Sequence, residues 1–311
     1  VRALPLLLTS LALVAGRPGI AADRDTTAGR PVLIQPARMG PYLGEPAPGD
    51  TPRVFAPGIV SLPGSGDYAC TWSPDGREFY FTRTARDSGG VRQVIMTSRL
   101  ERGGWTVPLP ADFSAGPNAH EPHVTADGRH VYWGWFRPAP AGEPATPLAY
   151  GIYAADRGPR GWSEARYVGW GMFVSSTRAG DVYVTENIFR DGGVTGYLTK
   201  ATLRDGRFVG HQRITGAIDV LRPRFQKLAH PCVAPDGSYL VFDVEGGSHL
   251  FVTFHAPDGS WGPPVDLAEH GLHPDAGIAS LSPDGEYLFF GLDGDLYWMS
   301  TAPILALRPR S

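Results

Sequence analysis

A four-residue turn signature recurs along this chain and narrows the folds open to it. Ser-Pro-Asp-Gly stands at Ser73–Gly76 and at Ser282–Gly285. Looser copies occupy Thr125–Gly128 and Ala234–Gly237, and a degenerate one, Thr-Arg-Ala-Gly, occupies Thr177–Gly180. Their glycines lie 52, 52, 57 and 48 residues apart. A period in this range, marked by hairpin chemistry, is that of propeller blades. Proline presets φ for the second residue of a type I turn, aspartate favours the turn geometry, and glycine takes the left-handed position that follows.

Each turn precedes a short apolar run: Phe79–Phe81, His130–Trp133, Val182–Val184, Tyr239–Phe242 and Tyr287–Phe290. These runs do not alternate with polar residues, so they predict strands covered on both faces. After a third strand comes a second mark, at Gly104-Trp105, Gly161-Trp162, Gly206–Phe208 and Gly259–Trp261. The unit is therefore four antiparallel strands. The fifth unit ends early, while a strand-like piece, Pro52–Val60, precedes the first unit unpaired. Lending that piece to the last blade closes the ring and hides an open sheet edge. The expected fold is all-β, a five-bladed propeller of four-stranded antiparallel blades closed by an N-terminal strand. A sixth blade hidden in Gly210–Ala229 is the alternative. The expected boundaries are 1–22 signal peptide, 23–50 N-terminal extension, 51–303 propeller and 304–311 C-terminal tail.

The ends and the composition bear on compartment and partners. Arg2, an apolar stretch from Ala3 to Ala15 and then Gly19, Ala21 and Ala22 give the layout of a secretory signal peptide, too short for a membrane span. The mature protein is expected to be periplasmic or secreted, monomeric, and without a membrane span. The formal charge of −3 gives no basic face for nucleic acid. Cys70 and Cys232 are the only cysteines. They fall on inner strands of non-adjacent units at different positions, so two free, buried thiols are expected.

With these hairpins, the opening Pro41–Gly44 and Val54–Gly58, the central His230–Gly237 and the closing Asp295–Trp298, the chain resembles the TolB-like β-propeller repeat proteins, a WD-repeat-like family, over residues 40 to 305. The resemblance implies the propeller. In function, the family spans periplasmic interaction proteins, domains attached to peptidases and exported proteins of other roles. Ala179 departs from the repeat where aspartate is expected, which predicts a looser third turn.

Chemistry is less marked. There is no Gly-x-Ser-x-Gly elbow, His-Glu-x-x-His, phosphate-cradling loop or paired cysteine motif. Aligning the inner strands by their glycines puts Thr71, His123, Ser175, Cys232 and Ser280 in one column. A second column holds Ala69, Glu121, Phe173, His230 and Ile278, in which Glu121 and His230 stand out. His120, His123, His230, His270 and His273 lie on or just before inner strands, and loops there converge on one channel mouth. Ligand-binding candidates are His120, Glu121, His123, His230, His273 and Asp275. Trp105, Trp162 and Trp261 are read as blade packing, and Glu186 and Asp243 as solvated ends of second strands.

The leading expectation is a binding or scaffold protein without catalysis or cofactor, engaging an envelope protein partner or a small polar ligand or glycan at the channel mouth. The alternative is a carbohydrate-active hydrolase or lyase using Glu121, His123 and His230, with a divalent metal ion as the optional cofactor, since imidazole and carboxylate suit such ions.

Overall fold

The computed structural model describes residues 31–87, 90–143 and 149–310. The expected signal peptide, 1–22, lies outside them. Five antiparallel sheets follow one another along the chain, and each is a blade. Blade I runs from its inner strand Gly66–Trp72 through Glu78–Asp87 and Gly90–Glu101 to the short outer pieces Gly104–Trp105 and Leu109–Pro110. Blade II comprises Ala119–Val124, His130–Phe136 and Tyr150–Gly158, with Gly161–Trp162 and Arg166–Gly169 sharing the outer position. Blade III is Met172–Ser176, Val182–Arg190, Gly193–Arg204 and Arg207–Arg213. Blade IV is Leu228–Val233, Tyr239–Val244, Ser248–Phe254 and Val265–Asp266. Blade V has Gly277–Leu281, Tyr287–Leu292 and Asp295–Ser300, and Arg53–Val54 is its outer strand. Between Gly210 and Ala229, the stretch where a sixth blade was sought, stands only a one-turn 3-10 helix, Ala217–Leu221, after the last strand of blade III.

Inner strands of successive blades touch, and those of blades V and I touch as well, so the five blades form a closed ring. Closure is made by pairing the chain's head to its tail. Arg53 opposes Trp298 and Val54 opposes Tyr297, and the Phe55 amide donates to the Leu296 carbonyl at 2.7 Å. Ser61 Oγ accepts from the Leu296 amide at 3.1 Å.

The core is five separate wedges, one for each interface between blades. The second strands explain why. In blade I, Phe79 and Phe81 face blade V while Tyr80 faces blade II, and all three are fully buried. Successive strand residues point to opposite faces, so a strand apolar on both faces reads as a continuous run. The wedge between blades V and I is the most aromatic. Phe55 packs there at 5.1–6.1 Å from Trp72, Phe79, Phe289 and Trp298, mostly edge to face. The residues ahead of blade I join this wedge, since Ile34 and Leu43 are buried in it. At the other end Ala302–Leu305 forms a single helical turn that buries Ile304 between blades IV and V.

The Asp-Gly turns have the expected chemistry. In the first, the Gly76 amide donates to the Ser73 carbonyl at 2.8 Å, Gly76 sits at φ 66°, and Asp75 accepts from the Arg77 amide at 3.1 Å. The third turn lacks that aspartate. It still closes, with the Gly180 amide donating to Thr177 at 3.1 Å.

Phe55→Ala should cost about 3–5 kcal/mol, read from urea unfolding followed by tryptophan fluorescence. A loss below about 1 kcal/mol, the size of an ordinary point substitution, would mean that the closing strand lies outside the cooperative core.

Candidate functional site

Every inner strand carries one residue more than the second strand it pairs with. The register slips between Tyr68 and Cys70, His120 and His123, Met172 and Val174, Ala229 and Cys232, and Gly277 and Ser280. Such a slip is a β-bulge, which bends the strand and re-aims a side chain. In all five the bulged residue is left-handed: Ala69 at φ 47°, Glu121 at 56°, Phe173 at 54°, His230 at 50° and Ile278 at 52°. A left-handed non-glycine residue, above all the β-branched Ile278, is strained and must be held by its surroundings. Three of the holders are side chains of the preceding blade's second strand. Thr82 Oγ1 accepts from the Glu121 amide at 2.8 Å, Thr185 Oγ1 from the His230 amide at 2.9 Å, and Asp243 Oδ2 from the Ile278 amide at 2.8 Å.

These bulges carry the column in which Glu121 and His230 stood out. Glu121 belongs to blade II and His230 to blade IV, which are not neighbours in a ring of five. Their side chains nevertheless approach to 3.5 Å, His230 Nε2 to Glu121 Oε1, so the two meet at the axis. Phe173, from the blade between them, sets its ring 5.3 Å from the His230 imidazole. Glu121, Phe173 and His230 together therefore fill the axis at this level.

Behind this pair the charges continue outward. His230 Nδ1 lies 2.8 Å from both carboxylate oxygens of Asp243. Asp243, read from sequence as a solvated strand end, is fully buried. On the far side His120 Nε2 is 3.9 Å from Glu121 Oε2, an oxygen that accepts no hydrogen bond among the described residues. The His120 ring stacks on Phe136 at 5.1 Å. Burial alone would push His230 down, but Asp243 and then Glu121 reverse the sign and raise it to about 9. Burial likewise acts to raise Glu121, yet His120, His230 and Lys227 together bring it below its ordinary value. Burial lowers His120, with Glu121 opposing. At neutral pH the axis thus holds an imidazolium between two carboxylates, beside a neutral His120.

The other sequence candidates stand elsewhere. His123 lies two residues past the bulge, toward the Asp-Gly turns, with Nε2 2.8 Å from Ser176 Oγ of blade III. Burial lowers it to about 4, so it is neutral at neutral pH. His273 and Asp275 are exposed in a loop, 3.8 Å apart and away from the axial cluster. His270 ends a short 3-10 helix, Leu267–His270, on the surface. Glu186 is paired with Arg213 at 2.7 Å. Trp105 and Trp261 pack between blades.

Above the plug, on the face of the Asp-Gly turns, the axis opens into a cavity of about 780 Å³ lined by residues of all five blades. Its wall includes the column of small polar residues, Thr71, Ser175 and Ser280, with Ser176, Ser282 and His123. Cys70 and Cys232 also line it; both are buried free thiols, and burial raises Cys232 to about 12. Some hydroxyls serve the fold, as Thr71 and Ser175 accept from the Val124 and Val233 amides of the next blade at 3.1 Å. Phe173 reaches the cavity from below, whereas His120, Glu121 and His230 do not line it. No group of three or more His, Cys, Asp and Glu side chains among the described residues is arranged to hold a metal ion. No helix among them is long and apolar enough to cross a membrane.

Sequence reasoning picked out Glu121 and His230 from their column but missed Asp243 and Ser176. Asp243 had a signal: it occupies the second-strand place that Thr82 and Thr185 hold in other blades. No signal connected Ser176 to His123, because the contact crosses between blades.

No family model matches the chain, and no curated protein does. Solved structures match in number, at low identity. A mannose phosphorylase from Leishmania mexicana shares 11% identity at a TM-score of 0.48, covering 82% of this chain and 90% of its own. A gluconolactonase from Xanthomonas campestris shares 16% at 0.42, covering 85% and 98%. The Cps50 (Swd1) β-propeller domain from Myceliophteria thermophila shares 13% at 0.39, covering 75% and 83%. The five-bladed architecture itself rests on the strand pairing of this chain.

Two consequences of the axial charges can be measured. His230 is raised above its unfolded value of about 6.5, so its contribution to stability is complete below that pH and disappears as pH rises toward 9. Glu121 is lowered, so its contribution holds above its unfolded value of about 4.3 and is lost on acidification. Asp243→Asn, which removes one charge of the buried pair, should cost about 3–5 kcal/mol near neutral pH and clearly less at pH 10, by urea unfolding. An equal cost at both pH values would show that His230 is uncharged. In an NMR titration, the His123 imidazole should protonate only near pH 4.

Proposed function

We propose that this is an exported binding propeller, periplasmic or secreted, that takes a small polar ligand in the turn-face cavity and performs no chemistry on it. The observation that carries this reading is the cavity itself, about 780 Å³ on the axis, walled by hydroxyls and a neutral imidazole from several blades. Its size falls within the range of small-molecule sites, about 300–1,000 Å³. A rigid ring with loops converging on one mouth is a scaffold on which binding depends on loop and turn residues. A neutral His123 paired with Ser176 offers one donor and one acceptor without charge, the chemistry that recognises hydroxyls and amides.

Thermal unfolding with neutral sugars, amino sugars and sugar acids tests this reading, on the native protein and on Ser176→Phe, which puts a ring into the cavity and removes the His123 hydrogen bond. A ligand at one hundred times its Kd stabilises by about 2.7 kcal/mol. At least one class should raise the melting temperature of the native protein and leave Ser176→Phe unchanged. A shift retained in that variant, or none in any class, would remove the reading.

One observation favours a second reading, a carbohydrate-active enzyme. Asp243, His230 and Glu121 form a charged array whose terminal carboxylate oxygen accepts no hydrogen bond among the described residues, the order of orienting group, imidazole and reacting acid or base. Release of reducing ends from a glycan mixture that is lost in Glu121→Gln and kept in Ser176→Phe would favour it over the first.

A further inference from the structure

This inference takes the turn-face cavity as the ligand site and asks what ligand it selects. The lining is not symmetric. Three carboxylates face the cavity, Asp75, Asp284 and Glu286, and all lie on the arc where blades V and I meet. The cationic lining residue is Arg178 of blade III, whose side chain reaches across to blade V, where its Nη2 donates to the Pro283 carbonyl at 2.8 Å, so one guanidinium stands against three carboxylates. His123 contributes no positive charge at neutral pH. Burial acts to raise Asp75, but its bonds from Ser73 and Arg77 bring it below the usual range, so it stays ionised. Asp284 accepts from the Tyr42 hydroxyl and from the Glu286 amide, both at 3.0 Å. The exposed Glu286 carboxylate makes no hydrogen bond or ion pair among the described residues. It is free to meet a ligand.

The same arc is aromatic. Tyr42 sets its ring 5.1 Å from Trp72 and 5.0 Å from Tyr287, edge to face in both cases, and all three residues line the cavity. Aromatic faces beside carboxylates suit an organic cation. A second, independent observation concerns Trp72. It is 3% exposed, and its indole Nε1 has no hydrogen-bond partner among the described residues. A buried N–H without an acceptor is destabilising, and an acceptor on a bound molecule would remove that cost.

We propose that the cavity selects a small hydroxylated ammonium compound of amino-sugar size. Its ammonium lies against Glu286, Asp284 and Asp75 beside the Tyr42, Trp72 and Tyr287 rings. Its hydroxyls meet Trp72 Nε1 and the His123–Ser176 pair. The carboxylates exclude sugar acids by like-charge repulsion, so selectivity comes from the rejected class as much as from the accepted one.

Isothermal titration of the full chain with D-glucosamine, D-glucose and D-glucuronate, at low and high salt, tests the proposal. Glucosamine should bind about tenfold more tightly than glucose, about 1.4 kcal/mol, glucuronate should bind least, and the preference should narrow as salt screens the charges. Glu286→Lys, which replaces an exposed carboxylate without a partner among the described residues, should fold normally and weaken glucosamine by about tenfold or more. Glucose or glucuronate binding as tightly as glucosamine, with both lost in Ser176→Phe, would overturn the amine preference and leave the cavity as the site. Glucosamine binding that survives in Ser176→Phe would overturn the cavity reading itself. If Ser176→Phe does not fold, an unchanged affinity in Glu286→Lys overturns the proposal alone, as does the absence of glucosamine binding to the native protein.

Discussion

The left-handed bulge on each inner strand is the constraint from which the rest of this propeller follows. Five short strands converging on an axis crowd one another, and the extra residue bends each strand there. At three of the five bulges the strain of a non-glycine residue at positive φ is held by the preceding blade, through Thr82, Thr185 and Asp243. At those three seams one blade fixes the backbone of the next close to the axis. The bulge also turns its own side chain inward, which is why Glu121 of blade II can touch His230 of blade IV. A feature of backbone geometry thereby becomes a feature of electrostatics.

Placing charge at such a site is costly unless it is paired. Transfer of ions into a protein interior carries a penalty of several kcal/mol per ion, and pairing must offset it. Here the offset is shared: Asp243 holds both the imidazolium and a backbone amide of blade V, so one carboxylate satisfies two demands. Phe173 lines the turn-face cavity, a well on the axis whose lining does not include the charged pair. What enters it meets the polar column of the inner strands, and the axial charges lie beyond the aromatic ring of Phe173.

Much of the fold was legible because the repeat is written in turn residues, whose chemistry is local. The spacing of five glycines, the apolar runs after them and the spare strand before the first unit led to five blades and to closure of blade V by the head of the chain. The bulges were not legible, since a one-residue slip leaves no mark in composition. Only the contrast of Glu121 and His230 with Ala69, Phe173 and Ile278 hinted at them. The histidines read as one gathering divide in space, because residues two apart on a bulged strand face different levels of the axis. His120, Glu121 and His230 meet in the plug, His123 faces the well, and His273 with Asp275 stays in solvent. Asp243 was misjudged as solvated because its burial is set by a neighbouring blade, not by its own sequence.

Joining the first strand to the last carries a consequence for biosynthesis. Arg53–Val54 leaves the ribosome before any of the blades, whereas its partner Asp295–Ser300 follows the other four. Until then Phe55 has only the Trp72 and Phe79 side of its pocket, and the open edge of the nascent sheet must be shielded from other chains. Four blades can assemble as they emerge, but the toroid locks only once Asp295–Ser300 has been made, so a product truncated before that strand would keep an adhesive seam.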